Sequence, residues 1–148
     1  MSTTAAPAHV RTDLSVRIGA LTLKGPILVA SGTYGYGDEF GSRFAIDLLG
    51  GIVTKTVTLK PRAGNPPHRM VETPSGMLNS IGLENVGLKA FVAEKLPKLA
   101  AVPTAIIASV GGETPGELFR LVRALEAAPC AAYDFCRSPS PPCSVRAR

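Results

Sequence analysis

The sequence predicts an α/β fold, a parallel sheet covered by helices, with a small β-hairpin before it. Three apolar runs, at 25–32, 51–57 and 104–112, are nearly continuous, as strands buried on both faces of a sheet are. Stretches with helical periodicity separate these runs. The alternation fits a doubly wound sheet or a (β/α)8 barrel. No glycine-rich dinucleotide fingerprint or P-loop follows any strand, which lowers the nucleotide-binding option.

The elements before the second apolar run are short. Residues 14–23, LSVRIGALTL, predict a hairpin because the Gly19-Ala20 pair is a turn dipeptide between two short strands. Residues 38–50, DEFGSRFAIDLLG, predict a short helix that ends at Gly50 or Gly51. The chain then enters the strand GIVTKTV.

Two helices and a fourth strand follow. Residues 85–100 place apolar residues on one face, and Pro97 predicts a kink there. The clearest helix begins at Thr114, because an N-cap threonine followed three residues later by Glu117 forms a capping box. We expect the fourth strand to begin within 131–135, AAYDF.

Composition excludes several classes of function. Hydrophobic residues make up 45% of the 148 residues, which suits a packed domain. The net charge of +5 is scattered, aromatic residues make up 5% and Trp is absent, so we expect no nucleic-acid binding. No stretch has the apolar length of a membrane span, and the N-terminus lacks the apolar part of a secretory signal. We therefore expect no membrane partner and a cytoplasmic protein.

The two ends of the chain differ from its centre. We expect residues 1–13 to be a flexible N-terminus, residues 14–135 to form one domain, and residues 136–148 to be a disordered tail. All three cysteines fall after residue 129, at spacings that suit neither a zinc site nor a disulfide framework. We predict no metal site.

Three strand ends carry residues that suit a ligand site. In either parallel architecture, ligands bind beyond the carboxyl ends of the strands. Small residues there let a flat ligand approach the backbone. The ends are Ser31-Gly32, Lys55-Thr56 and Ser109-Val110-Gly111. One such end alone is more readily an ordinary turn, but three at one edge of a sheet indicate a site.

Lys55 is the sharpest single candidate. A charge in a buried strand needs a partner, so we expect Lys55 to face an anionic or carbonyl group of a ligand rather than to snorkel at a sheet edge. The loop at 58–83 is too long for a passive connection, and its Ser, Asn and Gly residues suit a small polar ring. His68 and Glu72 in this loop are more readily solvated or ion-paired than a proton shuttle and a general base.

Three stretches of the chain carry a family pattern. They are PILVASGTYGYG, GGIVTKTVTLKPRAGNPPHRMVETPSGMLNSIGLEN and EKLPKLA. These stretches resemble the catalytic subunit of class 1B dihydroorotate dehydrogenase, over about residues 14–135. The resemblance implies the N-terminal portion of a (β/α)8 barrel that binds FMN and oxidises dihydroorotate to orotate in de novo pyrimidine synthesis. It also implies an electron-transfer partner subunit with FAD and a 2Fe-2S cluster, in a heterotetramer that passes electrons to NAD.

The resemblance also assigns ligand contacts. Flavin contacts fall on Ser31, Gly32, Lys55, Thr56 and Ser109. Substrate contacts fall on Lys55, Asn79, Ser80, Ile81, Gly82 and Leu83. Ser109 stands where the family often has Asn, a departure that affects its flavin contact. The family's catalytic Cys aligns with Pro139, and we transfer its role as base neither to Cys136 nor to Cys143.

The pattern stops abruptly after residue 135. A (β/α)8 barrel has about 250 residues, so we expect a shortened or frameshifted reading of the gene and no turnover by this chain alone. The sequence leaves two alternatives open. One is a flavin barrel similar to dihydropyrimidine dehydrogenase, and the other is a non-catalytic half-barrel with open sheet edges.

Overall fold

The structure, a computed structural model, describes residues 12–37, 45–128, 132–137 and 145–147. The strands are β1 (Val16–Ile18), β2 (Leu21–Leu23), β3 (Leu28–Val29), β4 (Gly51–Val53), β5 (Met70–Thr73), β6 (Gly76–Asn79), β7 (Ala105–Gly112), β8 (Ala132–Arg137) and β9 (Val145–Ala147). The helices are α1 (Gly87–Ala90), α2 (Leu96–Ala100) and α3 (Pro115–Glu126), with a 3-10 turn at Ile46–Leu48 and a π-helical turn at Phe91–Lys95. None of these helices is both long and apolar enough to cross a membrane.

The central sheet has the strand order β3-β4-β7-β8-β9. The first four of these strands run parallel, and β9 runs antiparallel to β8. The register places Val29 beside Ile52 and Ile52 beside Ile106, so the carboxyl ends of β3, β4 and β7 lie at one edge. This arrangement confirms the predicted α/β class with a parallel sheet.

The main core lies between the sheet and the helices that cover it. Ile52 and Val110 of the sheet are fully buried, as is Phe91 of the helical segment. Leu121 and Leu125 of α3 are fully buried as well and form the apolar face of that helix. These contacts fix the helices on the sheet and leave its carboxyl edge free to carry a site.

The start of α3 follows the predicted cap with one difference. Thr114 Oγ1 accepts a hydrogen bond from the Glu117 N–H (3.2 Å). The Glu117 carboxylate accepts from the N–H of Glu113 (2.8 Å), one residue before the N-cap that a capping box would use. This hydrogen bond from the Glu113 backbone holds the pKa of the Glu117 carboxyl below its ordinary value.

The strands β1 and β2 pair antiparallel around Gly19 and Ala20. Gly19 has a φ of +60°, a left-handed conformation that glycine adopts without steric cost. Leu21 and Leu23 of β2 are buried and cluster with Ala105, the first residue of β7, and its neighbours. The pair of strands therefore packs near the amino ends of the sheet and leaves the opposite edge open.

The structure refines two helix predictions. The helix expected at 38–50 is a single 3-10 turn at Ile46–Leu48 within the described residues, and 38–44 lies outside them. The helix expected at 85–100 is confirmed from Gly87 to Ala100, with the π-helical turn at Phe91–Lys95 ending two residues before Pro97. Proline lacks an N–H and its ring crowds the carbonyl four residues earlier, which accounts for the shifted hydrogen-bond ladder in the turn before it. The kink expected at Pro97 stays a prediction.

The long loop at 58–83 contains structure that the sequence did not predict. The strands β5 and β6 form an antiparallel hairpin in which Met70 pairs with Asn79 and Val71 with Leu78. Pro74 and Ser75 form the turn between them. A proline at this turn position has the φ that the turn requires, and apolar residues flank it on both sides. This proline turn between apolar residues was the sequence signal that could have predicted the hairpin.

Part of the segment predicted to be a disordered tail is strand. The strand predicted within 131–135 is β8, which extends to Arg137, and residues 145–147 form β9 beside it. Without β9, β8 would be the edge strand of the sheet, and an edge strand offers unpaired backbone groups to any extended segment, whatever its side-chain pattern. Residues 138–144, residue 148 and most of the predicted flexible N-terminus (1–11) lie outside the described residues.

Candidate functional site

The backbone bulges at Lys55. Residues 54–56 stand opposite only residues 108–109 of β7, between paired positions on either side. An extra residue of this kind re-aims side chains and is frequent next to active sites. The Lys55 N–H donates to Gly35 O (2.8 Å) rather than to β7. The lysine therefore leaves the regular ladder at the carboxyl edge of the sheet.

A cavity of about 800 Å³ opens at this edge. Its walls come from the ends of β3 and β4, from the hairpin β5–β6, and from the segment that follows the hairpin. The lining residues are Ser31, Gly32, Thr33, Lys55, Thr56, Met70, Asn79, Ser80, Ile81, Gly82, Leu83 and Glu84. Ligand pockets for small molecules have volumes of roughly 300–1,000 Å³, so the cavity has room for a flat ring system.

A row of hydroxyl groups forms the floor of the cavity. Thr56 Oγ1 lies 3.3 Å from Ser31 Oγ and 3.0 Å from Ser109 Oγ. Ser109 is buried beneath Thr56 and does not line the cavity. Thr54 Oγ1 accepts from the Ser109 N–H (3.2 Å) on the far side. Ser109 therefore supports Thr56 from behind the cavity wall, and its contact with flavin stays a prediction.

The charged groups of the cavity are a lysine and a glutamate. Glu84 Oε2 lies 2.9 Å from Arg69 Nη1 and 4.0 Å from Lys55 Nζ. The side chain of Lys55 is 29% exposed and that of Glu84 is 41% exposed, so solvent reaches both. Lys55, for which the sequence indicated no partner within the protein, thus lies near the carboxylate of Glu84. The close partner of that carboxylate is the arginine.

Close packing holds the segment after β6 in place. The Asn65 N–H donates to Ile81 O (3.0 Å), and its amide nitrogen donates to Ser80 O (2.9 Å). Gly82 has a φ of +76°, and a Cβ added there would lie 2.8 Å from the Asn65 backbone nitrogen. Leu83 has a φ of +53°, uncommon outside glycine. Such conformations persist where surrounding contacts determine them, and they cluster at functional sites.

Asn85 anchors the end of this segment. Its side chain is buried, and Oδ1 accepts from the Gly87 N–H (2.9 Å) and the Thr58 N–H (3.2 Å). Its Nδ2 donates to Leu83 O (2.8 Å) and to Thr58 Oγ1 (3.0 Å). The Asn85 amide thus joins three parts of the chain. They are Thr58, in the stretch 54–58 that continues β4 (β4's extension), the segment 79–83 of the cavity wall (the cavity segment), and the start of α1. Sequence reasoning missed this role because the contacts to Thr58 span 27 positions.

The structure brings together most of the residues that the sequence singled out. Of the ten predicted ligand contacts, nine line the cavity, and Ser109 lies behind it. Neither His68 nor Glu72 lines it. Three further lining residues, Thr33, Met70 and Glu84, were missed although they adjoin the predicted motifs. Cys136 lies in β8, while Pro139 and Cys143 are outside the described residues.

No group of three His, Cys, Asp or Glu side chains comes together as a metal site within the described part of the chain.

Replacing Gly82 with alanine tests how tightly the cavity segment is packed. We expect G82A to lower the free energy of unfolding by about 2–4 kcal/mol, since left-handed backbone costs a non-glycine residue about 1–2 kcal/mol and the clash with Asn65 adds to it. The matched control is Gly19→Ala, where φ is +60° and an added Cβ meets nothing within 4 Å. Urea unfolding measures both variants. Equal losses of unfolding free energy in the two variants would contradict the close packing of Gly82 against Asn65.

Known proteins are similar to this chain over the stretch that forms the cavity and most of the sheet. A family model described as dihydroorotate dehydrogenase matches residues 13–135. Relatives named dihydroorotate dehydrogenase B (NAD(+)), catalytic subunit, include one from Trichlorobacter lovleyi, 52% identical over 120 residues, 81% of this chain and 40% of the relative. One from Pelobacter propionicus is 48% identical over 123 residues, 83% of this chain and 40% of the relative. The chain thus spans about two fifths of the length of these curated relatives.

Proposed function

This chain belongs to the dihydroorotate dehydrogenase family, and from that premise we propose that it contributes to FMN-dependent oxidation of dihydroorotate to orotate in de novo pyrimidine synthesis. The observation that supports the proposal most is the cavity at the carboxyl edge of the sheet. There Lys55, two hydroxyl groups and the segment Asn79–Leu83 surround one space. We further propose that the parallel strands β3, β4, β7 and β8 are the N-terminal portion of a (β/α)8 barrel, an architecture that places its ligands at this edge.

The residues of the cavity wall fit the ring system of a flavin. Gly32 has a φ of +79°, and a Cβ built there would meet nothing within 4 Å, so a flat ring can lie against the backbone. Ser31 and Thr56 offer hydroxyl groups beside it. When bound, FMN supplies the acceptor for the two electrons and the hydrogen that dihydroorotate loses.

We propose the following roles for the chain's own residues. Lys55 holds the negative charge of the ligands, because an ammonium on a flexible stem can pair with a carboxylate or a carbonyl oxygen. Ser109 positions Thr56 through the buried hydroxyl contact.

The segment Asn79–Leu83 offers the polar groups that orient the substrate ring. Its backbone is fixed by Asn65 and Asn85, so these groups are arranged before the ligand arrives. We assign the base that removes the substrate proton to no residue of this chain.

We propose a partner for the electrons as well. The relatives are named catalytic subunits of a form that uses NAD(+). We therefore propose an electron-transfer subunit that carries FAD and a 2Fe-2S cluster, joined to this family's catalytic subunit in a heterotetramer. Electrons would pass through it to NAD.

The experiment that tests the proposed function is a titration of the purified chain with FMN, followed by orotate. We expect FMN to bind and orotate then to shift the visible absorbance of the bound flavin, since both ligands share one cavity. Uracil, which has the same ring without the carboxylate, is the control and is expected to need a higher concentration. A chain that binds no FMN, or a flavin spectrum that orotate leaves unchanged, would contradict the proposal.

A further inference from the structure

Glu84 introduces a negative charge into a cavity for which we propose anionic ligands. Of the described residues that line the cavity, only Lys55 and Glu84 carry a charge. Glu84 points one carboxylate oxygen at both cations of the region, Lys55 and Arg69. A carboxylate placed there repels a ligand anion and competes with it for the lysine.

The two contacts of Glu84 are unequal. The distance from Oε2 to Arg69 Nη1 is 2.9 Å, a direct hydrogen-bonded pair, whereas the distance to Lys55 Nζ is 4.0 Å, the outer limit of an ion pair. Arg69 can therefore retain Glu84 by itself. Lys55 can leave Glu84 for another anion without leaving the carboxylate unpaired.

From this geometry we infer that Glu84 is a built-in counter-ion of Lys55 which a ligand carboxylate displaces, so that the Lys55–Glu84 pair and an anion bound at Lys55 exclude each other. Glu84 then sets the charge selectivity of the cavity. Lys55, Arg69 and Glu84 together carry one net positive charge, which suits a ligand with a single negative charge near Lys55. A second negative charge on the ligand would meet Glu84 without compensation. This inference rests on the proposed function only in taking orotate as the anion.

The test compares three proteins: the wild-type chain, Glu84→Gln, and Glu113→Gln as a matched control. Glu113 pairs with Arg62 at 2.5 Å outside the cavity, so its replacement changes the net charge of the chain equally. Dissociation constants for orotate and for uracil are measured in FMN-saturated buffer at low and high salt.

We expect E84Q to bind orotate about tenfold more tightly than wild type at low salt, with the gain reduced at high salt by screening. We expect uracil binding to change little, and E113Q to match wild type with both ligands. Unchanged or weaker orotate binding by E84Q would overturn the inference. An equal gain in E113Q would also overturn it, because net charge alone would then explain the effect.

A second measurement does not depend on any ligand. The contact with Glu84 holds Lys55 Nζ beside the carboxylate and limits the approach of an acylating reagent to it. We expect acetylation at Lys55, followed by mass spectrometry, to be about threefold faster in E84Q than in wild type, with Lys60 as the internal reference. Equal rates would overturn the inference even if orotate binds. Failure of all three proteins to bind orotate, with faster labelling of Lys55 in E84Q, would overturn the proposed function and support the counter-ion.

Discussion

Replacing Asn85 with alanine lowers the free energy of unfolding by about 3–5 kcal/mol, the largest stability loss that we expect from one substitution near the cavity. Asn85 is 5% exposed, and its side chain makes hydrogen bonds to Thr58, Leu83 and Gly87. Alanine leaves the N–H groups of Thr58 and Gly87 and the carbonyl of Leu83 without these partners. Each buried group that loses its partner costs about 1–3 kcal/mol.

The matched control is Asn65→Ala. This amide contacts Ser80 from an exposed position, where water replaces the lost hydrogen bonds. We expect a loss of about 1 kcal/mol or less. Urea unfolding of both variants measures the difference. If both substitutions cost the same, Asn85 is not the anchor that joins the cavity segment to α1.

Replacing Lys55 with methionine removes the positive charge of the cavity wall and keeps the apolar stem. We expect orotate to bind at least about tenfold more weakly, equivalent to about 1.4 kcal/mol, because the ligand carboxylate loses its cation. Stability changes little, since Glu84 keeps its closer partner Arg69. Calorimetric titration of the FMN-loaded chain with orotate measures the affinity.

Lys60→Met is the control for this substitution. Lys60 is exposed, lies five positions later and does not line the cavity, but its removal changes the net charge of the chain by the same amount. Orotate affinity in K60M is therefore expected to stay within about twofold of wild type. Equal weakening in both variants would assign the effect to long-range charge rather than to a contact at Lys55.

The strand ends were predictable because their signals are local. The runs around Ser31 and Lys55 change from apolar to small or polar residues within a few positions, and parallel pairing then puts them at one edge. The same holds for α3, whose cap residue Thr114 and buried stripe lie within one stretch of the chain. The family pattern added the segment Asn79–Leu83, which no periodicity would have selected.

Other features depend on contacts that no local pattern specifies. Glu84 lies one position beyond the segment predicted to bind substrate, yet its role depends on Arg69, 15 positions earlier, and on Lys55, 29 positions earlier. The position of Ser109 also depends on a distant contact. Thr56 covers it only because β4's extension packs on β7. Tyr34 and Tyr36 are buried in the core, although the sequence around them is rich in turn-forming glycine.

Hydrogen exchange with and without ligands tests most directly whether this cavity is the site. We expect FMN and orotate together to slow amide exchange in two parts of the cavity wall, residues 31–33 and 79–83, because bound ligands restrict their opening. Exchange in α3, which contributes no residue to the cavity wall, is expected to stay the same. Protection confined to α3 or to other residues outside the cavity, with 79–83 unchanged, would contradict the assignment of ligand binding to this edge of the sheet.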